Sequence, residues 1–396
     1  MAGIYRLLVV VFWVQISVLA NADAKFTITP QELDTLGMDI SDREKSAIIE
    51  AIALGQQISK VAEKVNGTPY RRDAHAKATG CVRATFTINS DIPERFQHSV
   101  FTEPGQQYKA WIRYSNGDMT VQADKKPDAR GMAIKLTGVD GDKIAPELPG
   151  ATTQDFIMTN TPAFFHRDIY DYVQDMHYLA KLDRTKWFIN LWPPRLHPLR
   201  FYRAIQTVSS SIDNPLQPQY YSMIPYALGG NELKFSAKPC AGMSYPSVKD
   251  RSDEHYLTQA MQAHLNTQSA CFDFMVQERV DGETMPVDDA TVIWSQKQSP
   301  FIPIARIEIP QQTFTASSQQ TFCENLSMNP WHGVGDWQPI GSLNRARRLV
   351  YHAVSHFRHT KNNAPIFQPL NWCLNGEQTC DLSEVFPTEN SAKVAP

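Results

Sequence analysis

Eight short runs of this chain alternate apolar and polar residues, and their number constrains the fold more than any other feature. Four lie at 81–88, 108–115, 131–138 and 155–159; four more lie at 219–228, 231–239, 271–280 and 303–310. Period-two alternation places one set of side chains on each face of a strand. Eight half-buried strands must have their edges covered, and an antiparallel barrel that closes on itself removes the edges altogether. Helical patterns surround the strands. Ser41-Asp42-Arg43-Glu44 reads as a capping box, Ile48, Ile49, Ile52, Ile58, Val61 and Val65 follow at helical steps, and Gly67 offers the stop. Further helices are predicted over 167–182 and 253–265, and Gly229-Gly230 marks a hairpin turn. The expected class is α+β: an eight-stranded antiparallel β-barrel with surrounding helices.

The ends and the cysteines bound the compartment. Arg6 is followed by an apolar run from Leu7 to Ala20, broken only by Gln15 and Ser17, and by the small residues Ala22 and Ala24. This reads as a signal peptide over 1–24, leaving 25–396 as one domain. The run is short of the ~20 residues a membrane span needs, and no later run reaches that length, so no transmembrane segment is expected. The expectation is an exported, periplasmic protein. A net charge of −3 carries no basic excess for nucleic acid. An exported chain can keep disulfides among Cys81, Cys240, Cys271, Cys323, Cys373 and Cys380. Cys373 and Cys380 enclose a glycine-bearing loop and are the favoured local pair; Cys240 and Cys271 flank a helical segment and can also pair. Spacing alone does not decide either. The sequence contains no C-x-x-C, C-x-x-C-H, H-E-x-x-H or G-x-S-x-G pattern and no phosphate-cradling glycine loop. That removes support for zinc ribbons, covalent c-type haem, common hydrolases and nucleotide binding.

The chemistry-bearing residues are scattered. From Gly341 the sequence reads as a basic amphipathic helix through Leu343, Arg347, Val350, Tyr351, Val354 and Phe357. Arg347 and Tyr351 lie one turn apart on one face. A guanidinium against a phenol favours the phenolate, an anionic oxygen ligand suited to ferric iron. Arg358, two turns beyond Tyr351, can hold a cofactor carboxylate. Alone, this helix reads as solvated with a packed tyrosine. Three earlier segments change the balance. His75 follows Arg72 closely; Arg113 and Ser115 alternate on one strand face; Asn160 ends a short strand before a proline turn and two phenylalanines.

In this order the chain resembles the haem catalases and their smaller catalase-like relatives. The residues that carry the resemblance are Arg72-x-x-His75-Ala76-Lys77, Arg113-Tyr114-Ser115, Asp128-Ala129-Arg130-Gly131-Met132-Ala133-Ile134-Lys135, Asn160-Thr161-Pro162-Ala163-Phe164-Phe165-x-Arg167-Asp168, and Arg347-x-x-x-Tyr351 with Arg358. They span about 60–360. The resemblance implies the catalase-like barrel and non-covalent haem b. Tyr351 would be the axial ligand of the iron, with Arg347 stabilising its phenolate. Arg72, Arg113 and Arg358 would pair with the haem propionates. His75 would be the distal acid/base, Ser115 its orienting partner and Asn160 the group that polarises peroxide. It further implies a peroxide-consuming oxidoreductase acting on hydrogen peroxide or organic hydroperoxides, with an organic reductant as a possible partner and the oligomeric state open. A fatty-acid hydroperoxide isomerase or dehydratase, or a non-catalytic haem carrier, is the alternative; His75 and Asn160 favour chemistry over carriage.

Departures from the family pattern shape the expectation. His352-Ala353-Val354-Ser355-His356-Phe357-Arg358-His359 replaces the usual Pro-Asp-Thr-rich continuation, and Ala74, Ala78 and Thr79 surround His75 where a tighter Val/Gly pattern is usual. A small catalase-like peroxidase with a wider pocket fits these better than a full catalase. His332, His352, His356 and His359 read as surface groups or neighbours of the tyrosine, with metal a minor reading. The aromatic, basic stretch 186–203 contains three prolines that interrupt any continuous amphipathic helix. Packing against the barrel is expected of it, ahead of lining a substrate entrance or resting on a membrane.

Overall fold

The computed structural model of the chain describes residues 26–374 and Cys380, apart from 36–39, 146, 148–149, 191–194 and 210. The signal reading at 1–24 lies outside the described residues. Eight antiparallel strands close into a barrel: β1 (Ala78–Ile88), β2 (Gln107–Asn116), β3 (Arg130–Thr137), β4 (Thr153–Thr159), β5 (Tyr220–Tyr221), β6 (Asn231–Pro239), β7 (Ala270–Glu278) and β8 (Ile302–Ile309). The order around the barrel is β7-β8-β1-β2-β3-β4-β5-β6, and β6 pairs with β7 to close it.

Each predicted run has a strand in it, but 219–228 is broken. Only Tyr220–Tyr221 enters the barrel; Tyr226–Leu228 forms a hairpin with β6 across Gly229 and Gly230, both at positive φ. Pro225 and the left-handed Met223 (φ 59°) separate the two pieces. A proline cannot donate to a sheet ladder, so one continuous strand is excluded.

The alternation decides the two faces. Phe86, Ile112, Tyr114, Ile134, Phe156, Phe235 and Phe274 point inward with Phe101 and Trp337. Phe86 and Phe156 stack with ring centroids 5.8 Å apart, and Phe156 meets Phe274 at 4.8 Å, so the barrel interior is filled with aromatic rings. The neighbouring positions Arg113 and Ser115 face outward.

Helices cover that outer face. The helix α1 (Asp42–Asn66) starts with the Ser41 hydroxyl accepting from the Glu44 N–H and ends at Gly67, φ 73°. It packs with α2 (Ile169–Leu179) and the C-terminal α4 (Ser342–Asn362) through Ile48, Ile52, Ile58, Val173, Leu349 and Val354. Gly55 lets α1 approach α4: a Cβ there would sit 2.9 Å from Val354 Cγ2. A shorter helix, α3 (Ser317–Asn325), is fastened to β1 by the disulfide Cys81–Cys323. Cys240–Cys271 and Cys373–Cys380 are also bridged. No helix among the described residues is long and apolar enough to cross a membrane.

Candidate active site

His75 lies in the loop between α1 and β1 at φ 57°, a left-handed conformation uncommon outside glycine. Three bonds hold it there. The His75 N–H donates to Gly117 O (3.0 Å), the Ala76 N–H donates to Asp118 O (3.1 Å), and Arg113 Nη2 donates to the His75 carbonyl (2.9 Å). Ring atom Nδ1 lies 3.0 Å from Ser115 Oγ. Ser115 and Gly131 are cross-strand partners on β2 and β3, and the ring lies over both. A Cβ on Gly131 would come within 2.7 Å of both His75 Nδ1 and Ser115 Oγ, so the missing side chain makes the seat. Burial lowers the His75 pKa to about 4, helped by Arg113, Arg72 and Arg347. The ring is therefore a neutral base at neutral pH. Asn160 joins this wall through β3: its Oδ1 accepts from the Arg130 N–H (2.8 Å), and its own N–H donates to Arg130 O (2.9 Å).

A second group gathers four guanidiniums around Glu324 of α3. Arg71 and Arg72 reach its carboxylate at 3.3 and 3.4 Å. Arg72 also donates to the carbonyls of Glu324 (3.3 Å) and Leu326 (2.5 Å). Arg358 Nη1 donates to Glu324 O at 2.6 Å. Arg113 completes the group through the field it shares with Arg72, Glu324 and Arg358. Positive charge is in excess here. Burial, then Arg72, pushes the Arg358 pKa down to about 9 against the pull of Glu324. Burial, then Arg72, puts Arg113 well below its ordinary value. Asp73, which also acts on Arg72, is itself raised to about 6 by burial. The Nε atoms of Arg71 and Arg113 are buried without a hydrogen-bond partner. Buried, under-compensated donors of this kind call for an anion. The two carboxylates of a haem fit that demand.

The third group is on α4. Arg347 Nη2 donates to Tyr351 Oη (3.2 Å), while Nη1 donates to Tyr226 Oη (3.4 Å) and Asn344 Oδ1 (2.9 Å). Burial opposes the charge on Arg347, but the oxygens of Tyr351 and Tyr226 outweigh it and raise its pKa. Since Arg347 also lowers His75, the two groups lie within electrostatic reach of each other.

The structure thus joins His75, Ser115 and Arg113 directly, joins Arg72 and Arg358 through the Glu324–Leu326 segment, and pairs Arg347 with Tyr351. Sequence reasoning assigned no role to Arg71, Glu324, Tyr226 or Gly131. A glycine inside a period-two strand was a readable signal for close approach; nothing local marked Glu324. His359 is buried, with its ring nitrogens 2.7 and 2.9 Å from the carbonyls of Ser355 and Asn325. His332 contacts Asp155 at 2.8 Å. No group of three metal-ligating side chains occurs among the described residues.

The known proteins that this chain resembles are catalases. The family model described as Catalase matches residues 13–189. Catalase A of Staphylococcus xylosus is 24% identical over 384 residues, covering 88% of this chain and 73% of that protein. The chain is similar to catalases over much of its length. A catalase of Staphylococcus epidermidis is 32% identical over 142 residues, a match that spans 33% of this chain and only 25% of that protein. Among solved structures, a fungal catalase superposes with TM-score 0.58 at 17% identity, over 81% of this chain and 65% of its own. Catalase A from Saccharomyces cerevisiae gives 0.57 at 19% identity, over 82% and 68%. At those identities the structural likeness establishes the barrel fold and nothing finer.

Proposed function

We propose that the chain is an exported, haem-dependent oxidoreductase that consumes hydrogen peroxide or an organic hydroperoxide. The observation that carries the reading is the buried arginine group, short of negative charge, bonded to His75 through Arg113, with the Arg347–Tyr351 pair within electrostatic reach of the same histidine. Arg72, Arg113 and Arg358 would hold the carboxylates of haem b, and Tyr351 would be its axial ligand. Bound there, ferric haem would supply the two-electron change that cleaves the peroxide bond.

The remaining work belongs to the chain. His75, uncharged at neutral pH, takes a proton from one peroxide oxygen and returns it to the oxygen that leaves as water or alcohol. Ser115 engages Nδ1, so Nε2 exchanges the proton. Asn160, fixed by its bonds to Arg130, offers an amide dipole where charge develops. Two electrons then return from a second hydrogen peroxide, giving dioxygen, or from an organic reductant. The three disulfides support the export part of the reading, because such bonds persist in oxidising compartments.

Haem titration of the purified chain tests the assignment. A high-spin ferric spectrum with phenolate ligation is expected, and Tyr351→Phe should change it and weaken haem retention. An unaltered spectrum in that variant would remove the tyrosine from the iron. Stopped-flow mixing with hydrogen peroxide and with a lipid hydroperoxide then ranks the substrates.

A further inference from the structure

The stretch that follows α2 packs inward through Trp187 and Phe188, against Phe165. It contains a hairpin of Ile189–Asn190 with Arg195–Leu196 and a helix over Pro198–Val208. That helix is inside-out. Arg200, Ala204 and Thr207 form its inner face: Arg200 pairs with Asp171 at 2.7 Å, Ala204 packs near Trp187 and Phe188, and Thr207 is buried. Leu199, Tyr202 and Ile205, spaced three residues apart, form the opposite face and point to solvent. Leu199 is 79% exposed and Tyr202 56%. Just before the helix in the chain, the cross-strand partners Ile189 and Leu196 are exposed too, Leu196 at 68%. Leu182 adds another exposed apolar side chain just after α2. Isolated exposed leucines are ordinary; a contiguous apolar face rimmed by charge marks a surface that docks.

The charge says against what. Residues 181–205 contain Lys181, Arg184, Lys186, Arg195, Arg200 and Arg203 against a single acid, Asp183, in a chain whose net charge is −3. Arg184 and Arg200 are spent on Asp175 and Asp171, and Lys186 faces Asp183; among the described side chains Lys181 and Arg203 have no acidic partner, so the charge left over is basic. Two copies of this face would bring like charges together. An anionic sheet of headgroups over an apolar interior complements both the basic rim and the apolar stripe.

We propose that this face rests on a lipid bilayer bearing anionic headgroups. The full chain should float with vesicles of phosphatidylglycerol and phosphatidylcholine, not with phosphatidylcholine alone, and should release in high salt. Leu199→Gln/Tyr202→Gln/Ile205→Gln should cut the bound fraction at least tenfold at an unchanged melting temperature. These side chains are exposed, so folding is spared. Lys181→Glu/Arg203→Glu should weaken binding to the anionic vesicles as well. The proposal is overturned if the unaltered protein does not float, or if the triple variant floats equally well, which would place the attachment elsewhere, as in the apolar run at 7–20. It is also overturned if light scattering shows a dimer that the triple variant breaks, since the occupant would then be a second copy.

Discussion

His75 shows how a single residue is made into a base. Its ring is held by Ser115 on one side and seated on Gly131, in a backbone conformation fixed by Gly117, Asp118 and Arg113. Burial and three guanidiniums keep it neutral down to about pH 4. The sign follows directly. Above that value the base is available, and as pH falls through it the ring protonates and the rate drops. Initial peroxide-consumption rates should therefore show an acid limb near pH 4 that is absent in His75→Ala. At neutral pH that variant should keep haem yet lose ~10²–10⁴-fold in rate, the scale of general acid–base catalysis. Gly131→Ala tests the seat itself. The added methyl must displace either the imidazole or the serine hydroxyl, so turnover should fall while haem retention and circular dichroism stay close to those of the parent chain. Retained turnover would mean that the ring's placement over β3 is not needed.

At the scale of elements, α3 is short and weakly apolar, yet it and the Leu326 that caps it supply the groups that engage Arg72 and Arg358. The Cys81–Cys323 bridge, one residue from Glu324, ties α3 to β1, together with the packing of Phe322 on Trp111 and a bond from Gln319 to Cys81 O. Cys81→Ser/Cys323→Ser should destabilise the protein by about 2–5 kcal/mol, the usual range for a native disulfide. Because the loss falls beside the arginines, haem affinity should drop with it. The same change at Cys240 and Cys271, joining β6 to β7, should cost stability with little effect on haem. Chemical denaturation and haem titration of the two variants separate these outcomes. This pairing also shows where sequence reading stops. Period-two runs announced the strands, and the Ser41 box announced α1, because each signal lies within a few residues of the structure it specifies. Cys81 and Cys323 are 242 residues apart, and Glu324 meets Arg71 and Arg72 across a similar span. Nothing in their local sequence encodes those meetings; they follow from barrel closure. The outward apolar face at 198–208 is illegible for another reason: spacing shows which residues share a face, but not which face turns inward.

For the whole molecule, the site is a seam between two layers that each have their own core. The barrel contributes Arg113, Ser115, Gly131 and Asn160; the helical layer contributes Arg347, Tyr351 and Arg358, and the α1–β1 loop brings Arg72 and His75 between them. Packing aromatic rings inside the barrel leaves its outer face free for polar work, and the buried guanidiniums there repel one another. Such a seam gains most from an anion that both layers hold. Haem should therefore raise the melting temperature by linkage, worth about 2.7 kcal/mol at a free concentration one hundred times its dissociation constant. Arg113→Met should remove much of that rise. The substitution also forfeits one bond to the His75 carbonyl, so the ligand-free melting temperature must be measured beside the loaded one. The decisive quantity is the difference between the two, and an undiminished haem-induced rise in Arg113→Met would place the carboxylates of the cofactor away from this arginine.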